Sequence, residues 1–195
     1  MIDRPPQLAL FAAPFCFLRH GETEPNRLGL TTGATDVALT ETGWQQAHAA
    51  ARALSDRGID AIFCSPLKRA LDTAKCVAAA IGLPATVIAE IAERNWGELE
   101  GKPRRLRVWE ANPARGEGLD EFTRRTLAGL ERIPVSGLPL VVAHSGTFRV
   151  LCHTLGIAAA EAPVDNACPV RFEPGATPGT AWTCTRVDPR SDIIA

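Results

Sequence analysis

Short apolar runs, often rich in β-branched residues, alternate along this chain with longer stretches of helical periodicity. Five of these runs are predicted strands: residues 15–20, 61–65, 85–89, 140–144 and 181–187. Runs this short and apolar are typical of strands in a parallel or mixed sheet that is buried on both faces. Helices must then cover both faces of the sheet, so the alternation predicts an α/β fold.

Length and composition restrict the class of protein further. The 195 residues suit a single domain that spans residues 1–195. Lysine and arginine total 21 against 22 acidic residues, so the net charge gives no sign of a nucleic-acid or anionic-membrane partner. The six cysteines show no CxxC spacing and several lie in apolar runs, which favours a reducing cytoplasm. No run approaches the roughly 20 apolar residues that a membrane-spanning helix needs.

Local signals at helix ends predict four longer helices. Thr42 with Gln45 matches a capping box, and the helix that follows is expected to run to about Asp56. Two further helices are predicted over residues 117–132 and 147–155.

The remaining long helix follows the second strand. Ser65 is expected to cap it, with Pro66 at its first helical position and Arg69 in its first turns, near a helix N-terminus that favours anions. The stretch from Gly97 to Gly118 is rich in proline, glycine and arginine, so we expect a connection that faces the substrate. A short helix is predicted within it, over residues 104–111.

An arginine and a histidine stand side by side where the first strand ends, in the run Arg19-His20-Gly21-Glu22. Open α/β sheets place their chemistry at the carboxyl ends of strands. A histidine beside a fixed cation, with a glycine that lets a ligand approach the backbone, can attack a phosphoryl group and stabilise its charge.

Three further pieces accompany this run. Arg69 lies in Ser65-Pro66-Leu67-Lys68-Arg69-Ala70 after the second strand, and His144 ends the run Val141-Val142-Ala143-His144. Glu93 lies on a loop soon after the third strand. If the strands are parallel, their polar ends meet at one edge of the sheet, which would gather two histidines, two arginines and one acid.

In this order the motifs closely resemble the histidine phosphatase superfamily, also called the phosphoglycerate mutase-like family. The resemblance extends roughly from Phe15 to Gly156 and includes RHGET, the Thr32-Gly33 segment, SPLKRA, the E-x-x-x-G-x-x-E-G loop and the HSG strand end. Each motif is weak alone, but the ordered set is specific. The resemblance implies a three-layer α/β/α fold around a mostly parallel central sheet.

The resemblance also implies roles for individual residues. His20 would be the phosphorylated nucleophile, Glu93 the proton donor, and Arg19, Arg69 and His144 the phosphate pocket. Lesser contacts with phosphate or substrate are implied for four residues: Asn26, Thr32, Gly33 and Ser145.

The chemistry of these residues is coherent in itself. Two arginines and a protonated His144 can compensate the charge on the three equatorial oxygens of a transferred phosphoryl group, so we expect no metal and no organic cofactor. His20 must be neutral to attack, and a backbone carbonyl is expected to hold its other ring nitrogen. Glu93 must first give a proton to the leaving alkoxide and then activate water. The expected partner is a small phosphorylated metabolite.

Two other functions compete with a phosphatase. Cofactor-dependent phosphoglycerate mutases share the core but carry a longer insertion before the second histidine, whereas Glu93 and His144 are only 51 positions apart here. The short connection leaves the pocket open to water and favours hydrolysis. A catalytically silent phosphate-binding or regulatory module is the other alternative, although all five catalytic positions are filled.

Other features stay open or argue against rival chemistry. Four residues separate Cys64 from Arg69, whereas cysteine phosphatases place five between their cysteine and arginine. The natural substrate and the choice between monomer and homodimer are not indicated. A cluster of arginines after Gly101 either contacts a second anionic group of the substrate or forms a solvated face, and we favour the solvated face. Its first pair is similar to the residues that mutases use on the substrate carboxylate, and its members are Arg104, Arg105, Arg107 and Arg115.

Overall fold

The computed structural model describes residues 8–134, 137–157, 164–175 and 181–187. Its strands are β1 (Phe15–Arg19), β2 (Ile59–Cys64), β3 (Ala85–Val87), β4 (Leu138–Ala143), β5 (Pro169–Glu173) and β6 (Thr183–Arg186). They form one sheet in the order β3-β2-β4-β1-β5-β6. The first four run parallel to one another, while β5 and β6 are antiparallel additions next to β1.

Helices cover both faces of this sheet. They are α1 (Glu24–Arg27), α2 (Glu41–Leu54), α3 (Lys68–Ile81), α4 (Leu119–Glu131) and α5 (Ser145–Thr154). Single 3-10 turns lie at Ala9–Ala12, Ala89–Ile91, Gly97–Leu99 and Arg104–Leu106. No helix within the described ranges is long and apolar enough to cross a membrane.

Side chains of β1 alternate between two hydrophobic cores, as the period of a strand requires. Phe15 and Phe17 belong to the core that includes residues of α4 and α5, whereas Cys16 and Leu18 belong to the core formed with α2 and α3. The Phe17 ring lies 5.6 Å from that of Phe148 on α5. The three-layer α/β/α fold with a mostly parallel sheet is therefore confirmed.

The parallel strands bring the polar strand ends to one edge of the sheet. Arg19 pairs with Ala143, and Cys64 pairs with Val142. The ladder continues one residue further, because the His20 amide donates to the Ala143 carbonyl and the Ser65 amide to the Val142 carbonyl, both at 3.0 Å. His20, Ser65 and His144 consequently lie side by side.

The sequence analysis does not predict β5, and it predicts β6 as part of a longer, buried strand. A proline opens β5, where its missing N–H is tolerated, and this proline hid an otherwise buried strand. The predicted strand over 181–187 exists only as Thr183–Arg186, and its residues are exposed or half-buried because it is the antiparallel edge of the sheet.

Two predicted helix caps are wrong. The cap of α2 is Thr40 rather than Thr42, because the Thr40 hydroxyl accepts from the Gly43 amide at 3.0 Å. Helix α3 begins at Lys68, whose amide donates to the Asp36 carboxylate at 2.7 Å, so Ser65 does not cap it. The sequence places the end of α3 at Gly82, and the left-handed backbone there, with φ of 79°, confirms it.

The short helix predicted over residues 104–111 is also wrong. Only the 3-10 turn Arg104–Leu106 forms, because the Arg104 amide donates to the Gly29 carbonyl and ties this segment to the loop after α1. Helix α4 starts two residues later than predicted, and α5 starts at Ser145 instead of residue 147. The position of residues 191–195 at the C-terminus predicts a loose tail. These residues lie outside the described ranges.

Candidate active site

His20 follows β1 and is held with one ring nitrogen engaged. Its Nδ1 lies 2.7 Å from the Gly21 carbonyl oxygen, which can only accept, so Nδ1 carries the proton. The expectation of a backbone carbonyl partner is confirmed. Nε2 then carries the lone pair, and it has no hydrogen-bond partner among the described residues. Burial, followed by the charges of Arg69 and Arg19, holds the pKa of His20 well below 6.5, so the imidazole is neutral at pH 7.

Two buried arginines stand near His20. The Arg19 guanidinium donates through Nη1 to the Val164 carbonyl at 2.7 Å. Arg69 donates to the carbonyls of Thr35 and Gly33 at 2.9 and 2.7 Å. Burial lowers the pKa of Arg19 to about 10, which leaves it charged at neutral pH. The Nε atoms of both arginines are buried and have no hydrogen-bond partner in the described part of the chain.

His144 follows β4 and faces His20, with the ring centroids 5.2 Å apart. Its Nε2 lies 2.6 Å from the Ser65 hydroxyl oxygen, while its Nδ1 is buried without a partner in the described ranges. Ser65, whose predicted role as a helix cap is wrong, instead orients this ring.

The surroundings of His144 disfavour the protonated state that we expect for it. Burial is the largest cause that holds the pKa of His144 well below 6.5, and the neighbouring Arg69, His20 and Arg19 lower it further. The ring is therefore neutral at pH 7. If the Ser65 hydroxyl donates to Nε2, the proton of the neutral ring lies on Nδ1.

Glu93 lies on the loop after β3 and reaches the start of α5. One carboxylate oxygen accepts from the Gly146 amide at 3.0 Å and from the Ser145 hydroxyl at 3.3 Å. The other accepts from the Arg94 amide at 2.9 Å. A Cβ atom at position 146 would overlap the carboxylate, so glycine is required there for this close approach.

The lesser predicted contacts have different places. Asn26 and Thr32 line the cavity beside His20. Gly33 is not among the residues that line it; its carbonyl supports Arg69, and its amide donates to the Glu100 carboxylate at 2.9 Å. Ser145 lines the cavity and contacts Glu93.

Asn166 was missed by the sequence analysis. Its amide nitrogen donates to the His20 carbonyl at 2.9 Å and to the Asn26 side-chain oxygen at 3.0 Å. The adjacent Ala167 amide donates to the Arg19 carbonyl at 3.0 Å. The segment before β5 therefore holds the backbone of the predicted nucleophile, and only its place in the folded chain makes this visible.

The loop after β1 packs against the first turn of α2 at backbone distance. A Cβ atom at Gly21 would collide with the Gly43 carbonyl, and one at Gly43 would collide with the Glu22 carbonyl. The Gly21 amide also donates to the Thr73 hydroxyl on α3 at 3.0 Å. Both helices on this face therefore fix the position of His20.

A cavity of about 230 Å³ opens at this edge of the sheet. His20, Arg19 and Glu93 line it together with residues that the sequence analysis did not select, namely Leu30, Trp96, Trp109, Gly146 and Arg149. Arg104 and Arg107 also line it, so their interpretation as a solvated face is wrong. That interpretation is confirmed for the exposed Arg105 and Arg115.

Two buried or partly buried arginines hold the wall of the cavity opposite the strand ends. Arg94 donates to the carbonyls of Trp109, Ala111 and Glu117 at 2.6, 2.6 and 3.0 Å. Arg125 of α4 donates to the carbonyls of residues 90 and 92 and pairs with the Glu117 carboxylate. These contacts fix the loop that carries Glu93.

Two other kinds of chemistry, a cysteine nucleophile and a metal ion, can be compared with the described residues. Burial raises the pKa of the Cys64 thiol to about 11, which disfavours the thiolate. No group of three or more histidine, cysteine, aspartate or glutamate side chains in the described ranges is arranged to hold a metal ion. His48 and His153 are exposed on α2 and α5.

The family model of the histidine phosphatase superfamily (branch 1) matches residues 15–183. The chain therefore belongs to this superfamily. It is 34% identical over 143 residues to the uncharacterized phosphatase PhoE of Bacillus subtilis (70% of this chain, 74% of the relative). It is 35% identical over 155 residues to "Probable phosphoglycerate mutase GpmB" of Yersinia pestis (71% and 72%).

Solved structures show the same fold. The alpha-ribazole phosphatase of Shigella flexneri superposes with a TM-score of 0.73 at 26% identity, covering 90% of this chain and 96% of its own. Some curated relatives are longer: the chain spans 42% of the length of agropine synthesis reductase from Rhizobium rhizogenes, at 32% identity over 182 residues, which is 88% of this chain. The relatives thus include both phosphatases and mutase-like proteins.

Proposed function

We propose that this protein is a metal-independent phosphatase that hydrolyses small phosphate monoesters through a phosphohistidine on His20. The observation that carries the proposal is the state of the His20 ring. It is neutral, its Nδ1 proton is held by the Gly21 carbonyl, and its Nε2 lone pair has no partner among the described residues. A lone pair held in this way beside two buried guanidinium groups suits attack on a phosphorus atom.

The phosphate would be bound by Arg19, Arg69 and His144. The two buried Nε–H groups lack acceptors among the described residues, and phosphate oxygens would satisfy them. The Nδ1–H of a neutral His144 would donate a further hydrogen bond. Two fixed cations and an oriented donor then stabilise the charge on the equatorial oxygens in the transition state.

The reaction takes two balanced steps. In the first, Nε2 of His20 forms a bond to phosphorus while the ester P–O bond breaks, and protonated Glu93 gives its proton to the leaving oxygen. In the second, ionised Glu93 removes a proton from water, whose oxygen forms a bond to phosphorus while the P–N bond breaks. Phosphate leaves, and Glu93 is again protonated.

A second candidate is phosphoglycerate mutase activity. Two observations favour it: the similarity to the GpmB protein of Yersinia pestis, and the position of Arg104 in the cavity wall. A mutase would pass the phosphoryl group from His20 back to a second hydroxyl instead of to water.

The first experiment is a panel of phosphate monoesters assayed in excess EDTA. The panel includes p-nitrophenyl phosphate and 3-phosphoglycerate, the latter with and without 2,3-bisphosphoglycerate. We expect release of phosphate. Formation of 2-phosphoglycerate without release of phosphate would instead identify a mutase, and no turnover of any ester would favour a phosphate-binding module.

His20→Ala tests the nucleophile directly. We expect it to fold normally, to lose activity by about 10⁴-fold or more, and to take no acid-labile phosphoryl label. His48→Ala, which removes an exposed histidine of α2, is the matched control. Persistent labelling of His20→Ala would move the nucleophile elsewhere, with His144 the first alternative.

Glu93→Gln tests the proton donor by comparing leaving groups. Alkyl phosphates need a proton on the departing oxygen, whereas p-nitrophenolate leaves without one. We expect formation of the phosphohistidine to slow by about 10²- to 10³-fold for alkyl esters and much less for p-nitrophenyl phosphate. Rapid mixing separates this step from hydrolysis. Equal slowing with both esters would show that Glu93 is not the donor.

A further inference from the structure

Two tryptophans and three arginines form a stack of alternating side chains in the cavity wall. The rings of Trp96 and Trp109 lie 6.1 Å apart, and the Arg94 guanidinium carbon lies 4.4 and 5.5 Å from their centroids. Arg107 lies 4.9 Å from the Trp96 ring, and Arg149 lies 4.9 Å from the Trp109 ring. Each ring therefore already carries two guanidinium groups.

The tryptophan rings hold the guanidinium groups of Arg107 and Arg149 in place, but neither group forms an ion pair with a carboxylate of the described residues. The Arg94 side chain donates to three carbonyls, whereas the side chains of Arg107 and Arg149 make no hydrogen bond or ion pair with any residue in the described part of the chain. Contact with an aromatic face restricts a guanidinium while leaving its N–H edges available to an anion. Both side chains line the cavity, as does Arg104.

The backbone places these groups around the same opening. Arg149 lies one helical turn after Ser145 on α5, so both side chains share one face of that helix. Arg104 and Arg107 are three residues apart across the 3-10 turn Arg104–Leu106, a spacing at which side chains eclipse one another.

The positive charge around the cavity exceeds the negative charge of one phosphate group. Arg19 and the underlying Arg69 already balance a monoester phosphate, which carries about −1.5 to −2 charges at pH 7. Three more arginines then face a single carboxylate, that of Glu93, among the lining residues. Burial lowers the pKa of Arg107 most, and the like charges of Arg104, Arg149 and Arg94 lower it further.

We propose that Arg107 and Arg149, with Arg104, bind a second anionic group on the substrate. The preferred substrates are then phosphate monoesters that also carry a carboxylate or another phosphoryl group. This inference rests on the proposed function, because it assumes that the ligand is a substrate. It concerns binding, however, and can be tested without turnover. Esters that depend on stacking of an aromatic ring are disfavoured, because the tryptophan faces are occupied by guanidinium groups.

Matched pairs of ligands test the inference. 3-Phosphoglycerate and glycerol 3-phosphate differ by a carboxylate in place of a hydroxymethyl group, and fructose 1,6-bisphosphate and fructose 6-phosphate differ by one phosphoryl group. Dissociation constants are measured by calorimetry with His20→Ala, which is not expected to consume the ligands. kcat/KM values are measured with the wild-type protein.

We expect the doubly anionic member of at least one pair to bind about tenfold more tightly or better, as a charge-assisted hydrogen bond predicts. Arg107→Gln and Arg149→Gln, each added to His20→Ala, should remove most of that ratio. Arg105→Gln, which changes the exposed neighbour of Arg104, should leave the ratio intact. A preference in the first pair alone indicates a carboxylate, and one in the second alone indicates a phosphoryl group; both support the inference.

Two results would overturn it. One is a ratio within about twofold of unity for both pairs. The other is a ratio that persists in both arginine variants, which would leave Arg107 and Arg149 as packing residues of the wall. Loss of turnover for every ester with the binding ratio preserved would reject the proposed hydrolysis but keep the second anion site.

Discussion

The two ends of the cavity are built in different ways. At the end where we propose that phosphate binds, called the phosphate end below, His20 and His144 directly follow β1 and β4, and the His20 amide continues the pairing of β1 with β4. The opposite wall, residues 93–117, contains no α-helix and no strand of the sheet, and the Arg94 side chain holds its carbonyls together.

Because of this difference, substitutions at the two ends should affect different properties of the protein. Strand pairing fixes the positions of the two histidines whether or not their rings are present. The wall depends instead on side-chain contacts to carbonyls within it and just before it, chiefly those of Arg94 and Arg125. Substitutions at the phosphate end should therefore change the rate, whereas substitutions in the wall should change both stability and binding.

Among the tests of this comparison, the largest expected effect comes from His144→Gln. Loss of one oriented donor to the transferred phosphoryl group should lower kcat by about 10²- to 10³-fold for every phosphate monoester. The free energy of unfolding should change little, because among the described residues the His144 ring forms a hydrogen bond with the Ser65 hydroxyl alone. Steady-state kinetics and urea unfolding measure the two quantities.

His153→Gln, on the exposed face of the same helix, is the control for His144→Gln. It should leave both quantities unchanged. A drop in stability with little change in kcat for His144→Gln would mean that the phosphate end is structural, and the comparison between the two ends would fail.

Arg94→Gln should produce the opposite pattern. Three carbonyls lose a charged donor, which should lower the free energy of unfolding by about 3 kcal/mol or more. kcat/KM should fall about tenfold, because Trp96 and Trp109 lose the cation between them and the wall loosens. Urea unfolding and limited proteolysis of residues 103–116 measure the effect, with Arg105→Gln as the control. An unchanged unfolding midpoint would show that the wall does not depend on Arg94.

The smallest effect is a dependence of stability on pH that arises at the phosphate end. The folded-state pKa values of His20 and His144 lie well below 6.5, the ordinary value expected in the unfolded chain. As pH falls below 6.5, the unfolded chain binds protons that the folded chain does not, so stability falls. Each unit costs up to about 1.4 kcal/mol per histidine until the folded-state pKa is reached.

Urea unfolding at pH 7.5 and 5.5 measures this dependence. Carboxylates contribute equally to the wild type and to His144→Gln, so the variant should lose about 1 kcal/mol less over this interval. Arg94→Gln should keep the wild-type difference. The same loss in wild type and His144→Gln would mean that His144 is protonated in the folded protein.

The same comparison explains what the sequence could predict. Polar residues that follow short apolar runs signal a strand end, so Arg19, His20 and His144 could be selected and gathered at one edge. The apolar alternation likewise predicted the three layers. Strand β5 was hidden by Pro169, whereas β6 was predicted within residues 181–187, although its residues are exposed or half-buried.

The wall left no comparable signal. Trp96 and Trp109 lie in different parts of the loop and Arg149 lies on α5, so their stacking depends on how the loop folds. Arg104 and Arg107 stand in an arginine-rich run that is indistinguishable by composition from a solvated surface. Ser65 and Asn166 act through distant partners, which no local pattern encodes.

The contact between Gly21 and Gly43 has a consequence for protein engineering. Replacing a glycine inside a helix by alanine ordinarily adds up to about 1 kcal/mol of stability. At Gly43 the added methyl group would displace the Glu22 carbonyl and, with it, the loop that holds His20. A scheme that raises heat resistance by consensus or helix propensity must therefore leave both glycines unchanged. Alanine at Gly43 could stabilise α2, but it would move the loop that holds His20 and so lower activity.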